Sequence, residues 1–284
     1  MRRRLDAELL RRGLATSAAE ARAFIEDGRV LVGGASATNQ ARLVDASESV
    51  SVRAAPSRFV GRGGEKLAAA VEAFNLDFSG SRVLDAGAST GGFTDCALQN
   101  GATEVVAVDV GHGLIHDRLR RDPRVTMMER QNIRLLDPTT LDPFDAVVSD
   151  LSFISLTAVM EVLVRCCASD GWLVVLVKPQ FESDRDEVTR GRGVITDPEL
   201  WRVAVERVVG SAEAHGAVVC GLAPSPIRGA DGNVEFLLYL RVQDQRDYDS
   251  TRDVSRMFND ALRIVTEQMT GSSRRRDQVD DEIG

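Results

Sequence analysis

Lysine is almost absent from this chain, because only Lys66 and Lys178 occur among its 35 basic residues. A guanidinium never gives up its proton in a protein, whereas an ammonium can be shifted towards neutrality and then act as a base. A chain that uses arginine at nearly every other cationic position has reason to keep lysine where a proton must move. The composition therefore predicts chemistry at both lysines, the alternative being chance survival on solvated faces.

Acidic residues follow predicted strands, at positions where a sheet could bring them together. Asp85, Asp109 and Asp150 each end an apolar stretch, and Lys178 ends another, immediately before a proline. Ligands of doubly wound α/β folds bind outside the carboxyl ends of the strands, so these side chains are predicted to share one edge. Glu235 begins the last predicted strand, and it joins the same edge only if that strand runs antiparallel.

A glycine-rich loop, DAGASTGGFT over residues 85–94, lies between the first of these strands and a helix. Its glycines let backbone N–H groups approach a ligand at a helix N-terminus. The loop lacks the lysine of a P-loop and the GxGxxG spacing of dinucleotide sites. Asp109, 22 positions after Gly87, suits ribose hydroxyls. These features alone leave a nicotinamide cofactor and S-adenosylmethionine (SAM) both open.

Two structural regions are predicted along the chain. Residues 1–53 read as a small α+β unit, with a helix through Leu5 and Leu9, a second helix opened by Ser17 and Glu20, and short strands around 30–32 and 50–52. After a linker at 54–62, strands and helices alternate as in a doubly wound sheet. The predicted strands lie at 82–84, 104–108, 125–128, 146–148, 172–177, 217–222 and 236–240. A charged extension over 246–284 is predicted to be helical at 251–269 and disordered from 272.

Charge and composition argue against a secreted, a membrane-spanning and a metal-binding protein. The net charge is −8, yet the first 60 residues contain ten arginines and seven acidic residues, which leaves −11 for the remainder. A basic module on an acidic body fits an arm that binds phosphate while another part does something else. Four cysteines without CxxC spacing, and no leader or apolar span, predict a cytoplasmic protein with reduced core thiols. His112 and His116 lack a third ligand, so no metal is expected.

The first 53 residues resemble the S4-type RNA-binding domain. The resemblance rests on the order RLDxxLxxxGxxxS, a helix that ends in glycine, and then xVxVxG. It departs where the family often has Ser-Arg at the start of the second helix, since Ser17 is followed by Ala18. The expected RNA contacts are the arginines of this unit and two near the predicted pocket: Arg3, Arg4, Arg11, Arg12, Arg22, Arg58 and Arg62.

The glycine-rich loop resembles that of class I SAM-dependent methyltransferases, which have a Rossmann-like, seven-stranded mixed sheet with the last strand antiparallel. The resemblance implies SAM as cofactor, with Asp85 addressing its charged amino-acid end, Asp109 its ribose and Asn132 its adenine. The implied cofactor-binding set is Asp85, Gly87, Ser89, Thr90, Gly91, Gly92, Phe93, Asp109, Asn132 and Asp150.

Lysine, aspartate, lysine and glutamate in this order resemble the catalytic tetrad of the FtsJ-like RNA 2′-O-methyltransferases. The implied tetrad is Lys66, Asp150, Lys178 and Glu235. Together with the strings RGGEKL, DLSFISL, VKPQFE and GNVEF and the S4-type head, it identifies the chain as similar to the TlyA-type, or hemolysin A, family. That resemblance covers residues 5 to about 242 and implies methylation of cytidine 2′-hydroxyls in 16S and possibly 23S rRNA.

Other functions stay open at this point. A methyltransferase acting on a base nitrogen or a small molecule is one alternative, although the segment Asp150-Leu151-Ser152-Phe153 lacks the Asn-Pro-Pro-Tyr pattern that cradles an amino group. A non-catalytic RNA-binding factor in ribosome assembly is the other. The expected partners are rRNA or ribosomal subunits, with no membrane and no metal.

Overall fold

The computed structural model describes residues 2–54, 57–242 and 253–281, without the side chains of Arg185 and of 270–281. The chain forms two compact units, 1–57 and 58–284. The two units have separate hydrophobic cores.

The described residues of the N-terminal unit form two helices and five short strands. In chain order these are β1 (Arg3–Arg4), α1 (Leu5–Arg11), α2 (Ala18–Glu26), β2 (Val30–Val32), β3 (Ala35–Ser36), β4 (Leu43–Val44) and β5 (Val50–Val52). Strand β2 lies between β3 and β5, and β1 pairs with β4. Leu5, Leu9 and Ile25 are fully buried in its core, as the helical spacing of these apolar residues predicts.

Helix α2 begins where the sequence predicted, although its cap differs in one contact. Ser17 Oγ accepts a hydrogen bond from Glu20 N at 3.1 Å. The Glu20 carboxylate accepts hydrogen bonds from the backbone N–H and the hydroxyl of Thr16, one residue before the N-cap. The cap therefore still satisfies free N–H groups at the first turn, which is what stabilises a helix start.

The C-terminal unit alternates strands and helices. In chain order it contains α3 (Gly63–Phe74), β6 (Arg82–Ala86), α4 (Gly92–Gln99), β7 (Glu104–Asp109), α5 (Asp117–Arg120), β8 (Val125–Glu129), β9 (Phe144–Ser149), α6 (Met160–Cys166), β10 (Cys167–Val177), α7 (Pro179–Glu182), α8 (Arg185–Arg190), α9 (Pro198–Ala214), β11 (Ala217–Pro224), β12 (Phe236–Val242) and α10 (Val254–Asp281).

These strands form one seven-stranded sheet in the order β11-β12-β10-β9-β6-β7-β8. Strand β12 runs antiparallel to both neighbours, while β6 to β10 are mutually parallel. The antiparallel β12 confirms the prediction, and it brings the start of β12 to the edge where the parallel strands end. The predicted fold class is therefore confirmed.

Alternate residues of the central strands pack on opposite faces of the sheet. Val83, Val105 and Ala146 are in register and belong to one core cluster, which packs against α3 and α4. The next residues along these strands, such as Leu84, belong to the cluster on the other face. Strands buried on both faces read as continuous apolar runs, and side chains at the strand ends are left to line the edge.

Two segments differ from the predicted boundaries. Phe59 lies in the predicted linker but is 2% exposed, and it packs in the core of the C-terminal unit. A Cβ at position 64 would lie 2.2 Å from the Phe59 ring, so Gly64 permits this packing. Helix α10 runs from Val254 to Asp281, whereas the predicted helix spans 251–269. Residues 243–252 and 282–284 lie outside the described residues.

Candidate active site

The four residues of the predicted tetrad lie together and form an alternating series of charges. Lys178 Nζ lies 2.6 Å from Asp150 Oδ1, and Lys66 Nζ lies 3.7 Å from Asp150 Oδ2. Lys66 Nζ also lies 2.6 Å from Glu235 Oε2. Both lysines and Glu235 are buried, with exposed fractions of 7% or less. Two positive and two negative groups therefore share one site, and Asp150 connects the two lysines.

Lys66 lies in the first turn of α3. A cation at a helix N-terminus opposes the macrodipole, so the helix alone disfavours this position. The short contact with Glu235 and the longer one with Asp150 supply the compensating negative charge. The position of Lys66 is thus a requirement of the site rather than of the helix.

Glu235 is positioned by the loop that precedes β12. Asn233 is 1% exposed and its amide donates to Gly193 O at 2.8 Å, while its carbonyl oxygen accepts from Ile195 N at 2.9 Å. A Cβ at Gly229 would lie 2.7 Å from Glu235 Oε1. The loop therefore folds back on the Glu235 carboxylate and has room for it only because residue 229 is a glycine.

Lys178 has a second partner that sequence reasoning missed. Its Nζ donates to Ser152 Oγ at 2.8 Å, in addition to its contact with Asp150. An ammonium has three N–H donors and a neutral amine has two with one lone pair. With Asp150 and Ser152 as partners, one position on Nζ stays available to a ligand in the cavity that Lys178 lines.

The glycine-rich loop passes close to this cluster. Gly87 has φ 91°, and a Cβ there would lie 3.0 Å from the carbonyl oxygen of Asp150. Gly91 has φ 92° as the N-cap of α4, and its Cβ would lie 2.3 Å from Leu119 Cδ1. Both positions need a glycine for backbone conformation and for space.

Asp85 lies beneath this loop and is fully buried. Its Oδ2 accepts from Thr94 N at 2.9 Å and from Thr94 Oγ1 at 2.6 Å. Its Oδ1 has no hydrogen-bond partner among the described residues. Burial, the largest cause, and the negative charges of Asp150 and Asp109 together raise the pKa of Asp85 to about 7, although the hydrogen bonds from Thr94 act in the opposite direction. The free oxygen can accept a hydrogen bond from a cationic N–H group.

Two adjoining cavities surround the loop. The first, of about 600 Å³, is lined by all four tetrad residues and by Arg62, Gly87, Ser89, Thr90, Gly92 and Phe93 among others. The second, of about 530 Å³, is lined by residues that include Asp109, Asn132, Val110 and Leu114. Gly87, Ser89, Asp150, Ser152 and Phe153 line both. Of the predicted cofactor residues, Asp85 and Gly91 are not among the residues that line either cavity.

Asp109 and Asn132 lie at the second cavity, with some of their polar atoms already in use. Asp109 Oδ2 accepts from Ser89 N at 2.8 Å, and Oδ1 accepts from Gly111 N at 2.7 Å. Each carboxylate oxygen has a further lone pair, so hydroxyl donors can still bind. Asn132 Oδ1 accepts from Arg134 N, which leaves its amide N–H groups for a ligand.

Phe153 is an exposed aromatic residue at the junction of the two cavities. Its side chain is 92% exposed, and its φ of 64° is rare for an aromatic residue. Its ring centroid lies 5.3 Å from that of Phe181. The motif DLSFISL contained this residue, but no periodicity in the sequence distinguishes an exposed aromatic side chain from a core one.

The arginines predicted to contact RNA differ in how far the protein itself occupies them. In the N-terminal unit, Arg11 and Arg12 both pair with Glu8, and Arg4 pairs with Asp6. Arg22 donates to a backbone carbonyl in its own helix, and Arg3 is exposed. In the C-terminal unit, Arg58 stacks on the Phe59 ring and Arg62 lines the first cavity.

Metal and membrane features are absent from the described part of the chain. No group of three or more histidine, cysteine or acidic side chains is arranged to bind a metal ion among these residues. None of the described helices combines the length and apolar character needed to cross a bilayer.

Family models match most of each unit. Residues 59–242 match the FtsJ-like methyltransferase model, and residues 3–50 match the S4 domain model. The chain belongs to the FtsJ-like methyltransferase family. The resemblance drawn from the tetrad and the glycine-rich loop is confirmed, and the cofactor of this methyltransferase is SAM.

Similar proteins support the same assignment over most of this chain. It is 46% identical to the 16S/23S rRNA (cytidine-2′-O)-methyltransferase TlyA of Mycobacterium tuberculosis, over 86% of this chain and 92% of that one. It is 34% identical to hemolysin A of Brachyspira hyodysenteriae, over 83% and 98%. A solved structure described as a candidate hemolysin from Streptococcus thermophilus is 33% identical, with a TM-score of 0.70 over 95% and 98%.

Proposed function

We propose that this methyltransferase transfers a methyl group from SAM to ribose 2′-hydroxyls of rRNA, with cytidine as the target nucleoside. The observation that carries the proposal is the series Lys178, Asp150, Lys66 and Glu235 on one wall of a cavity that the glycine-rich loop also lines. The relative from M. tuberculosis is named for cytidine 2′-O-methylation of 16S and 23S rRNA, which supports the choice of substrate.

A ribose hydroxyl is a weak nucleophile and must lose its proton as it attacks. When bound, SAM supplies a methyl group on a positively charged sulfur. The 2′-oxygen would take this methyl group from the sulfur, which would leave as a neutral thioether, and Nζ of Lys178 would accept the hydroxyl proton. Such proton transfer to a positioned side chain contributes about 10²- to 10⁴-fold in rate. Alignment of hydroxyl and methyl supplies a further share.

The remaining tetrad residues orient Lys178 and set its electrostatic surroundings. Asp150 fixes the amine directly through Oδ1. Glu235 contacts Lys66 rather than Lys178, so it acts on the base indirectly, by fixing the second cation. Lys66 contacts Asp150 and lowers the negative potential that Asp150 presents to Lys178.

The residues around the loop fit the cofactor in both charge and shape. The unpartnered Oδ1 of Asp85 suits the ammonium of the amino-acid end. Asp109 retains lone pairs for the ribose hydroxyls, and Asn132 retains N–H donors for adenine. No lysine or helix-bound phosphate site is needed, because this cofactor carries no pyrophosphate.

RNA contacts would come from both units. In the N-terminal unit, Arg3 and Arg22 are not engaged by acidic side chains in the described contacts, and in the C-terminal unit Arg62 lines the first cavity. The exposed Phe153 ring offers a surface on which a base of the substrate can stack. An rRNA substrate also implies action in the cytoplasm, on ribosomal subunits.

The proposal is tested by mapping methyl groups on purified ribosomal subunits incubated with the protein and SAM. A 2′-O-methyl group blocks alkaline cleavage at its own linkage, so we expect protected positions at cytidines. Methylation without protection would indicate a base methyltransferase. SAM binding by calorimetry without any methyl transfer would indicate an assembly factor that does not catalyse the reaction. Either result would reject the proposal.

A further inference from the structure

The loop after β7 presents apolar side chains on a backbone that has little stiffness of its own. Val110 is 69% exposed and Leu114 is 49% exposed, and both line the second cavity. Gly111 and Gly113 lie between them, the latter with φ 70°. Glycine leaves a loop many alternative conformations, so an ordered binding surface here requires contacts from outside the loop.

Those contacts come from the end of β8. Glu129 Oε1 accepts from Gly113 N at 2.9 Å, and Glu129 Oε2 lies 2.6 Å from His112 Nδ1. The next residue, Arg130, donates its backbone N–H to Gly111 O at 3.0 Å, and it adopts φ 57°. Glu129, the last residue of β8, and Arg130, which follows it, therefore bind the loop at two successive points.

Glu129 is itself fixed by α5. Arg120 donates to Glu129 Oε1 at 2.7 Å, and the side chain of Glu129 is only 20% exposed. A carboxylate with a charged partner and a backbone N–H on one oxygen makes charge-assisted hydrogen bonds, which are stronger than neutral ones. Asp109 adds a contact at the start of the loop, from Gly111 N to Oδ1 at 2.7 Å. Glu129 thus joins β8, α5 and the loop.

We infer that Glu129 is a positioning residue for the cofactor. It fixes the 110–114 loop in the conformation in which Val110 and Leu114 form an apolar wall for the adenosine end of SAM. Without Glu129 the loop must be ordered when the cofactor binds, and that ordering lowers affinity. The chemical step takes place at the tetrad in the first cavity, and Glu129 is not among the residues that line that cavity. Its loss should therefore act on the affinity for SAM and not on the rate at saturation.

The test compares Glu129→Ala and Glu129→Gln with the matched control Glu104→Gln in the full-length protein. Glu104 lies at the opposite end of β7 and pairs with Arg82 at 3.0 Å. Affinity for SAM and for S-adenosylhomocysteine is measured by calorimetry, and methyl transfer is measured across SAM concentrations. We expect Kd to rise about tenfold for Glu129→Ala and about threefold for Glu129→Gln, with Glu104→Gln unchanged.

The kinetic result separates positioning from a general loss of structure. KM for SAM should follow Kd, and kcat at saturating SAM should stay within about twofold of wild type. Amide exchange at 110–114 should be faster in Glu129→Gln without cofactor. If Glu129→Ala does not fold, Glu129→Gln decides the question, because it keeps the size of the side chain.

Unchanged Kd in both variants, or a lower kcat with unchanged KM, would overturn the inference. These measurements of binding do not depend on the RNA that is methylated. A failure of the proposed rRNA activity is therefore distinguishable, since it would leave the effect of Glu129 on SAM affinity intact.

Discussion

Each unit of the molecule contains a charge cluster built around a buried acidic side chain, and the two clusters are built differently. In the N-terminal unit Glu8, 2% exposed, pairs with Arg11 and Arg12, and Arg12 also donates to the carbonyls of Asp45, Ala46 and Glu48. In the C-terminal unit two lysines and two acids line a cavity. The arginine cluster uses its donors within the protein, whereas the lysine cluster leaves a position open to a ligand.

The difference shows that burial of charge does not by itself indicate a functional site. A guanidinium with five fixed donors can satisfy an acid and several carbonyls at once, and this suits a structural tie between α1 and the loop at 45–48. An ammonium with three donors, two of them engaged, keeps its third donor for a bound group. A cavity beside a charged group with unused hydrogen-bonding capacity is the combination that permits chemistry.

The largest expected effect comes from an exchange that conserves charge at the lysine cluster. Lys178→Arg keeps the positive charge but removes the group that can accept a proton. We expect kcat for methyl transfer to fall at least about 100-fold, with SAM affinity and thermal stability near those of wild type. Single-turnover kinetics and calorimetry provide the measurements. A near-normal rate in this variant would mean that Lys178 is not the base.

The next effect concerns RNA at the same site. Removing the ring in Phe153→Ala should raise KM for RNA about tenfold, because base stacking on an aromatic side chain is worth about 1–3 kcal/mol. The fold should be unaffected, since the side chain is 92% exposed. Phe59→Ala is the contrasting variant, because that ring is buried and its loss should lower stability. An unchanged KM for RNA in Phe153→Ala would exclude stacking of an RNA base on the Phe153 ring.

The opposite exchange in the N-terminal unit should affect stability and not chemistry. Arg12→Lys keeps the charge but cannot reproduce the contacts with Glu8 and three carbonyls. We expect the melting transition of the N-terminal unit to fall by about 5 °C, with kcat at 25 °C unchanged. Thermal unfolding by circular dichroism checks this. If Arg12→Lys lowered RNA affinity without any loss of stability, Arg12 would be an RNA contact and not a structural tie.

The smallest effect is a pH dependence at Asp85. Burial raises its pKa to about 7 in the folded protein, above its ordinary value of 3.8. Between about pH 4 and 7 the folded protein therefore retains a proton that the unfolded chain has already lost. The free energy of unfolding falls as pH rises through that range.

An ammonium at Oδ1 favours the carboxylate form of Asp85. Binding of SAM should then release a proton and tighten about fivefold from pH 6 to 8. Calorimetry at pH 6.5, in two buffers that differ in ionisation enthalpy, measures the proton release, and Asp85→Asn should abolish it. Equal proton release in that variant would exclude Asp85 as the group that titrates.

Several features of the fold could be predicted because their signal is local. The strands buried on both faces read as apolar runs, and Ser17 was recognisable as a helix cap. The exposed aromatic Phe153 was not predicted, because whether a ring is buried depends on elements that are distant in sequence. The packed state of Phe59, within a predicted linker, was missed for the same reason.

By itself, the sequence determined which residue types the site contains. Two lysines in a chain of arginines, acids at the ends of apolar strands and a glycine-rich turn follow from composition and spacing, which folding does not change. Only the tertiary structure decided which of these groups touch. Glu235 contacts Lys66 and not Lys178, Ser152 joins Lys178, and Glu129 binds the loop beside the second cavity. The reason is physical: hydrogen bonds and ion pairs depend on separations of a few ångströms between segments far apart in the chain, and only the packed sheet sets those separations.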